Sequence, residues 1–308
     1  MSGLILGAIV LLAVAVAVIT TLIPAIVGLR RHGLGEAAAA ARRRSVYASA
    51  AAGGTGALVF AAWLALGPDN VTRSLPVLPS IVGIAMTAVA VVAERTWPRP
   101  TGDVRVASLR AATGPSGNGA RLALGGALLS LIVLAIGAVT DNADGRMAEL
   151  TWGSGGSGHG PYPGSFYTVP IITAGIILAA LTWWGLREVE GRPALGPGIE
   201  DVDAAARAAS RVRVLRGATF ASLVTSGALV TTMAQAWASL MRNVADVAPA
   251  GQFDAWWWAA LQWGSLVFIV VGLALILMGI RALVTPGPTM PTGSPMTSAE
   301  ADRAPATT

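Results

Sequence analysis

The chain has 308 residues, of which 54% are hydrophobic and only 12% are charged, about half the charged share of an ordinary soluble domain. All 21 basic residues are Arg, the formal net charge is +5, and there is no Cys. This composition excludes an ordinary water-soluble domain, a disulfide scaffold, thiolate metal sites and a cysteine nucleophile.

Seven apolar stretches follow one another along the chain, each long enough to cross the roughly 30 Å hydrocarbon core of a bilayer as a helix. We therefore predict an all-α polytopic membrane protein, a bundle of seven transmembrane helices within residues 1–284. Residues 285–308 are rich in Pro, Thr, Ser and Ala and are predicted to form a disordered cytoplasmic tail. The predicted spans are 4–29, 46–66, 76–93, 122–140, 166–186, 217–240 and 256–280.

The Arg residues predict the orientation of the bundle. Loops 30–45, 94–121 and 187–216, with the tail after 280, hold 18 Arg, whereas loops 67–75, 141–165 and 241–255 hold three. By the positive-inside rule the first set is cytoplasmic, so the N-terminus lies outside and the C-terminus inside. The Arg-only, Ala- and Gly-rich composition also indicates a bacterial chain, and we expect a multi-pass protein of the plasma membrane.

These Arg residues lie beside hydrophobic runs and are not interleaved with aromatics on one face, so we expect anionic lipid headgroups, and no nucleic acid, as partners. A membrane or cytoplasmic protein is a further expected partner. Segment 200–216 begins with acids and ends with Arg, which suits a helix dipole, and Asp203 and Arg207 are spaced to pair. We interpret this segment as an interfacial helix on anionic headgroups; a plain solvated helix is the alternative.

Several Trp residues fall at span ends, where the headgroup layer favours an amphipathic ring. The predicted interfacial anchors are Trp97, Trp183, Trp184, Trp256, Trp257 and Trp258.

The predicted spans contain no Asp, Glu, Lys, Arg or His, which removes the ordinary machinery of proton- or sodium-coupled transport. Instead, small or polar residues recur in the last two spans: Thr225, Thr232, Gln235 and Ser239 in the sixth, and Gln262, Ser265, Gly272 and Gly279 in the seventh. Seven-residue spacing of this kind predicts helix contacts. We expect Gln235 and Gln262 to face each other, either as a packing pair or as the lining of an outer vestibule.

The outer loop at 140–168 holds the remaining candidates for chemistry, which are Asp141, Asp144 and His159. Their spacing does not match a calcium-binding loop, a lone His makes at best a weak zinc site, and nothing resembles a nucleophile elbow. We therefore expect no catalytic residue, metal or cofactor, and interpret the Pro- and Tyr-containing stretch that follows His159 as a turn that seats the fifth helix.

No motif is specific enough to name a reaction. The sequence favours a non-enzymatic accessory, sensory or interaction component. One alternative is a permease or channel for a small uncharged solute with its path between the sixth and seventh spans. The other is a membrane enzyme with its site in the 140–168 loop.

Overall fold

The structure, a computed structural model, describes residues 36–65, 76–97, 117–152, 155–193, 200–247 and 255–285. These residues form helices α1 (Glu36–Ala65), α2 (Leu78–Arg95) and α3 (Gly117–Thr140), strands β1 (Ala148–Trp152) and β2 (Gly155–His159), and helices α4 (Ser165–Gly191), α5 (Glu200–Val247) and α6 (Ala255–Val284). The described part of the chain is thus a helical bundle with one short hairpin.

Six of the described helices are long and apolar enough to cross a membrane, and they coincide with the second to seventh predicted spans. The first predicted span, 4–29, and the tail beyond Thr285 lie outside the described residues. Helices α1 and α5 begin well before the predicted spans, because the Ala-rich segments that precede those spans are strong helix formers.

Helix α5 forms the centre of the bundle and packs against the other five helices and the hairpin. In an apolar stretch of 18 residues within α5, 78% of the residues are buried, against 22% to 50% in the corresponding 18-residue stretches of the other helices. Its 48 residues span about 72 Å, more than twice the thickness of a hydrocarbon core. Helix α5 therefore extends beyond the membrane layer. Segment 200–216, which we interpreted from the sequence as an interfacial helix, is the first third of this continuous helix, and Val202, Ala206 and Val214 within it are buried in the bundle.

Glycines let other helices approach α5 closely. A Cβ atom on Gly83 of α2 would lie 2.6 Å from the Cβ of Ala221 and 2.8 Å from the carbonyl oxygen of Gly217. On α6, a Cβ on Gly272 would lie 2.7 Å from the carbonyl oxygen of Gly227. Real Cβ atoms do not approach backbone so closely, so these crossings depend on the missing side chain.

A short hairpin covers the end of the bundle opposite the end where α2 and α4 stop. Strands β1 and β2 pair antiparallel, with Ala148 opposite His159. The following Tyr162 is fully buried, packs with Leu240 and Val244 of α5, and accepts a hydrogen bond from Trp237 Nε1 at 3.2 Å. This stretch fixes the start of α4 against α5.

Large apolar side chains are exposed along the outer faces of α3 and α6. They are Leu124, Leu128, Leu131, Ile132, Ile136 and Val139 on α3, and Leu266, Val267, Phe268, Val270, Val271, Leu273 and Leu277 on α6. Patches of this size are unfavourable in water and are the ordinary exterior of a helix in lipid. The fold is therefore that of an integral membrane protein.

We expect Gly272→Ala to lower the free energy of unfolding by about 1 to 3 kcal/mol, because the added methyl group would overlap backbone atoms of α5. Gly264→Ala is the matched control on the same helix, since a Cβ there meets no atom within 4 Å. Equilibrium unfolding in mixed micelles measures both variants. Equal stability of the two would contradict the close α5–α6 crossing.

Candidate functional site: a buried ion-pair network

A cluster of charged residues is buried where α2 and α4 end beside α5, and we name this cluster the ion-pair network. Its members are Glu94, Arg192, Asp203, Arg207 and Arg213. We name the surrounding region, where the Arg-rich ends of the helices meet, the Arg-rich end of the bundle. Buried charges are rarely found without a partner or a role, so this region is the candidate functional site.

Glu94, in the last turn of α2, is the central anion of the network. Its Oε1 accepts a hydrogen bond from Arg213 NH1 at 2.8 Å, and its Oε2 lies 3.6 Å from Arg192 NH1. The Glu94 side chain has no solvent exposure, and those of Arg192 and Arg213 have 2% and 4%. One carboxylate therefore faces two guanidinium groups that arrive from α5 and from the end of α4.

Arg213 also connects α5 to α1. Its Nε donates to Ser49 Oγ at 3.1 Å, and its NH2 donates to the backbone oxygen and the Oγ of Ser45 at 3.0 and 2.6 Å. The planar guanidinium group offers five N–H donors in a fixed geometry, so one side chain can hold several partners at once. Arg213 thereby joins α1, α2 and α5.

Asp203 and Arg207 close the other side of the network. Asp203 Oδ1 accepts from Arg192 NH2 at 3.1 Å, and its Oδ2 accepts from Arg207 Nε at 2.8 Å. The predicted Asp203–Arg207 pair is thus confirmed, in a buried setting where the sequence suggested an exposed one.

Arg207 also caps the C-terminal end of α4. Its guanidinium donates to the backbone oxygens of Val189, Glu190 and Arg192 at 3.3, 3.3 and 2.7 Å. The last carbonyl groups of a helix have no partner within it and carry its negative dipole, so a cation is favourable here.

Trp97 lies inside this site. Its ring centroid is 4.1 Å from the guanidinium carbon of Arg192 and 5.6 Å from that of Arg44. With 8% of its surface exposed, it does not serve as the exposed membrane anchor that the sequence predicted, because two cations hold the ring within the bundle.

The charge balance of the network is positive, since three guanidinium groups face two carboxylates. Burial lowers the pKa of Arg192 from its ordinary value, while the Glu94 and Asp203 carboxylates act to raise it. Arg nevertheless stays protonated in proteins, so the network keeps its ions. The arrangement resists any sliding of α1, α2, α4 and α5 that would separate these ions.

Other Arg residues at the same end are exposed and stack on exposed Trp rings. Arg95 lies 5.6 Å from the ring centroid of Trp184, and Arg187 lies 5.1 Å from that of Trp183. Trp183 is 62% exposed, and Trp184 is exposed as well. Trp256, Trp257 and Trp258 lie in the first turn of α6, and their side chains are outside what the structure describes.

The polar residues predicted on α5 and α6 have separate surroundings. Thr225 Oγ1 lies 3.2 Å from Ser80 Oγ of α2, whereas Thr232 and Ser265 donate to carbonyl groups of their own helices. Ser239 Oγ accepts from Arg242 NH2 at 3.3 Å, on its own helix.

The amides of Gln235 and Gln262 are both exposed, and no hydrogen bond joins them among the described residues. Gly272 lies against Gly227 and Thr231 of α5. The close crossing at Gly227 and Gly272 leaves no room at that level for the solute path that a permease would need between α5 and α6.

The outer-loop candidates do not come together as a site. Asp141 Oδ2 accepts from the backbone N–H of Ser165 at 2.6 Å at the start of α4, which is a capping role. His159 lies on β2 opposite Ala148, and Asp144 is exposed in the preceding turn. Within the described residues, no group of three His, Cys, Asp or Glu side chains has the arrangement of a metal site.

Sequence reasoning missed Glu94, Arg192 and Arg213 as a set, because it assigned the Arg residues to lipid headgroups. One signal could have found them. Glu94 directly adjoins an apolar span on the Arg-rich side, and an acid in that position requires a cationic partner.

Comparison with known proteins gives no match to this chain, whether with protein families, curated proteins or solved structures.

We expect Glu94→Gln to lower the free energy of unfolding by about 3 to 5 kcal/mol, because it leaves the buried Arg213 without a carboxylate partner and Arg192 with Asp203 alone. Glu190→Gln is the control, since the Glu190 side chain is 62% exposed and pairs with Arg211 at 3.6 Å; it should cost about 0 to 1 kcal/mol. Thermal and denaturant unfolding in detergent compare the two. Similar losses would mean that Glu94 is not the central anion.

We also expect Arg207→Met to expose the C-terminal turn of α4, because three backbone oxygens lose their donor. Hydrogen exchange of amides 186–192 should rise strongly, while exchange at the centre of α4 should not change. Arg207→Lys keeps the charge near Asp203 but lacks the fork of donors, so it should restore only part of the protection. Unchanged exchange in both variants would contradict the capping role.

Proposed function

We propose that this chain is a non-enzymatic membrane protein that acts as an interaction component, with its Arg-rich end on the cytoplasmic face of a bacterial plasma membrane and in contact with anionic lipid headgroups. The observation that carries this proposal is the division of Arg residues at that end. Some are buried and paired with carboxylates, whereas others are exposed and stacked on Trp rings.

The stacked pairs have the chemistry of a headgroup contact. An exposed Trp ring favours the boundary between hydrocarbon and water, and a guanidinium beside it lies at the depth of the lipid phosphates. Arg95 with Trp184 and Arg187 with Trp183 place two such pairs near the ends of α2 and α4. Each cation near an anionic surface contributes about 1 kcal/mol of attraction.

The network supports the same orientation. Glu94 belongs to one of the loops that the Arg count assigns to the cytoplasm, 94–121, and it contacts Arg192 and Arg213, which belong to another, 187–216. Helix ends that share one buried cluster must lie on the same side of the membrane. The positive-inside rule then favours the cytoplasmic side.

The test uses the full chain reconstituted with spin-labelled phosphatidylglycerol or phosphatidylcholine. The fraction of immobilised label gives the relative association constant of each lipid. We expect a preference for phosphatidylglycerol that falls with added salt and that is reduced several-fold in the double variant Arg95→Gln/Arg187→Gln.

Arg242→Gln is the matched control, because Arg242 is an exposed Arg near the opposite end of α5. It should keep the lipid preference of the unchanged chain. An unchanged preference in the double variant, or an equal loss in the control, would overturn the proposal.

A further inference from the structure

A groove of about 580 Å³ lies between α1 and α2 at the Arg-rich end. It is separate from the stacked Arg–Trp pairs, which involve α4. Its lining consists of Ala40, Arg43, Arg44, Tyr47, Ala48, Ala51, Ala93 and Thr96. The groove therefore combines cationic and hydroxyl side chains with several Ala residues.

The polar part of the groove suits a phosphate. Arg43 is exposed, and the Tyr47 side chain is 63% exposed, so both can reach a bound group. Arg44 is held in place, because its NH2 donates to Thr96 Oγ1 at 2.7 Å and its guanidinium lies over the Trp97 ring. The described lining has two Arg residues and no carboxylate, which is the charge pattern that attracts an anion.

The apolar part of the groove suits an alkyl chain. Arg44, Ala48 and Ala51 follow one another at three- and four-residue spacing, so they lie along one side of α1. Ala51 is about 10 Å along the helix axis from Arg44, towards the middle of the predicted span. A ligand that matches the groove therefore has an anionic group at one end and hydrocarbon at the other.

A second surface depression has one Ala and one Arg in its described lining, which consists of Ala180, Trp183, Trp184, Arg187 and Glu188. There, the carboxylate of Glu188 shares the lining with Arg187 and accepts a hydrogen bond from Trp184 Nε1 at 2.8 Å. The groove between α1 and α2 is thus the stronger anion site of the two.

We propose that this groove binds one anionic phospholipid, with its phosphate at Arg43 and Tyr47 and an acyl chain along Ala48 and Ala51. This inference rests on the proposed function for the depth of the Arg-rich end in the membrane, but it depends on different side chains. A groove site holds one lipid tightly, whereas the stacked Arg–Trp pairs select among lipids that exchange freely.

The experiment is native mass spectrometry of the full chain released from nanodiscs that contain equal phosphatidylglycerol and phosphatidylcholine. We expect one phosphatidylglycerol to remain bound to the unchanged protein. Arg43→Gln should reduce its retention about tenfold, because a charge-assisted hydrogen bond is lost. Ala51→Phe should abolish retention by filling the groove.

Ala62→Phe is the matched control. Ala62 is exposed on the same helix, about 16 Å further along its axis, and is not part of the groove lining. This variant should retain the lipid as the unchanged protein does. Because Arg43 and Ala51 are both exposed, their variants should unfold at the temperature of the unchanged protein in detergent, which separates lost binding from lost folding.

Titration with inorganic phosphate distinguishes the lipid from a free anion. If inorganic phosphate alone raises the unfolding temperature, and Ala51→Phe does not change that rise, the lipid assignment is overturned. Retention that survives both groove variants would overturn the site while leaving the proposed function intact, provided that the spin-label preference still depends on Arg95 and Arg187. If the unchanged protein shows no preference for phosphatidylglycerol in the spin-label experiment but still retains one lipid in the groove, only the proposed function is rejected.

Discussion

The contact between Glu94 and Arg213 is the interaction on which the arrangement of the helix ends depends. Removing a carboxylate and a guanidinium from water costs several kcal/mol per ion, and their attraction compensates only when the remaining donors and acceptors also find partners. Arg213 meets this condition by using Ser45 and Ser49 as well as Glu94. The ion pair therefore requires α1, α2 and α5 to occupy fixed positions relative to one another.

The same requirement extends to α4 through Arg192 and Arg207. Arg192 places its charge between Glu94, Asp203 and the face of Trp97, and Arg207 covers the terminal carbonyl groups of α4. The bundle is thus held by ion pairs at one end and by close glycine contacts along α5. Apolar helices gain no hydrophobic stabilisation from meeting in lipid, so close packing and directed polar contacts must specify their arrangement.

This division gives two roles to one residue type. Arg residues inside the network pair with its carboxylates, whereas Arg43, Arg95 and Arg187 are exposed, the last two over Trp rings. Because all the basic residues are Arg, composition alone does not separate the two groups. Whether an Arg residue is buried or exposed depends on which face of its helix it occupies after the other helices pack around α5.

The sequence alone predicts the six described helices that are long and apolar enough to cross a membrane, because hydropathy over some 20 residues is a local property of the chain. It likewise determined the Asp203–Arg207 pair, since four-residue spacing on a helix brings two side chains together wherever that helix lies. Other features depend on how the helices pack together. They are the pairing of Glu94 with Arg213, the buried position of Trp97, and the exposure of Gln235 and Gln262. Glu94 and Arg213 are 119 residues apart, and the rotation of each helix about its axis is set by all of its neighbours at once, which no local spacing encodes.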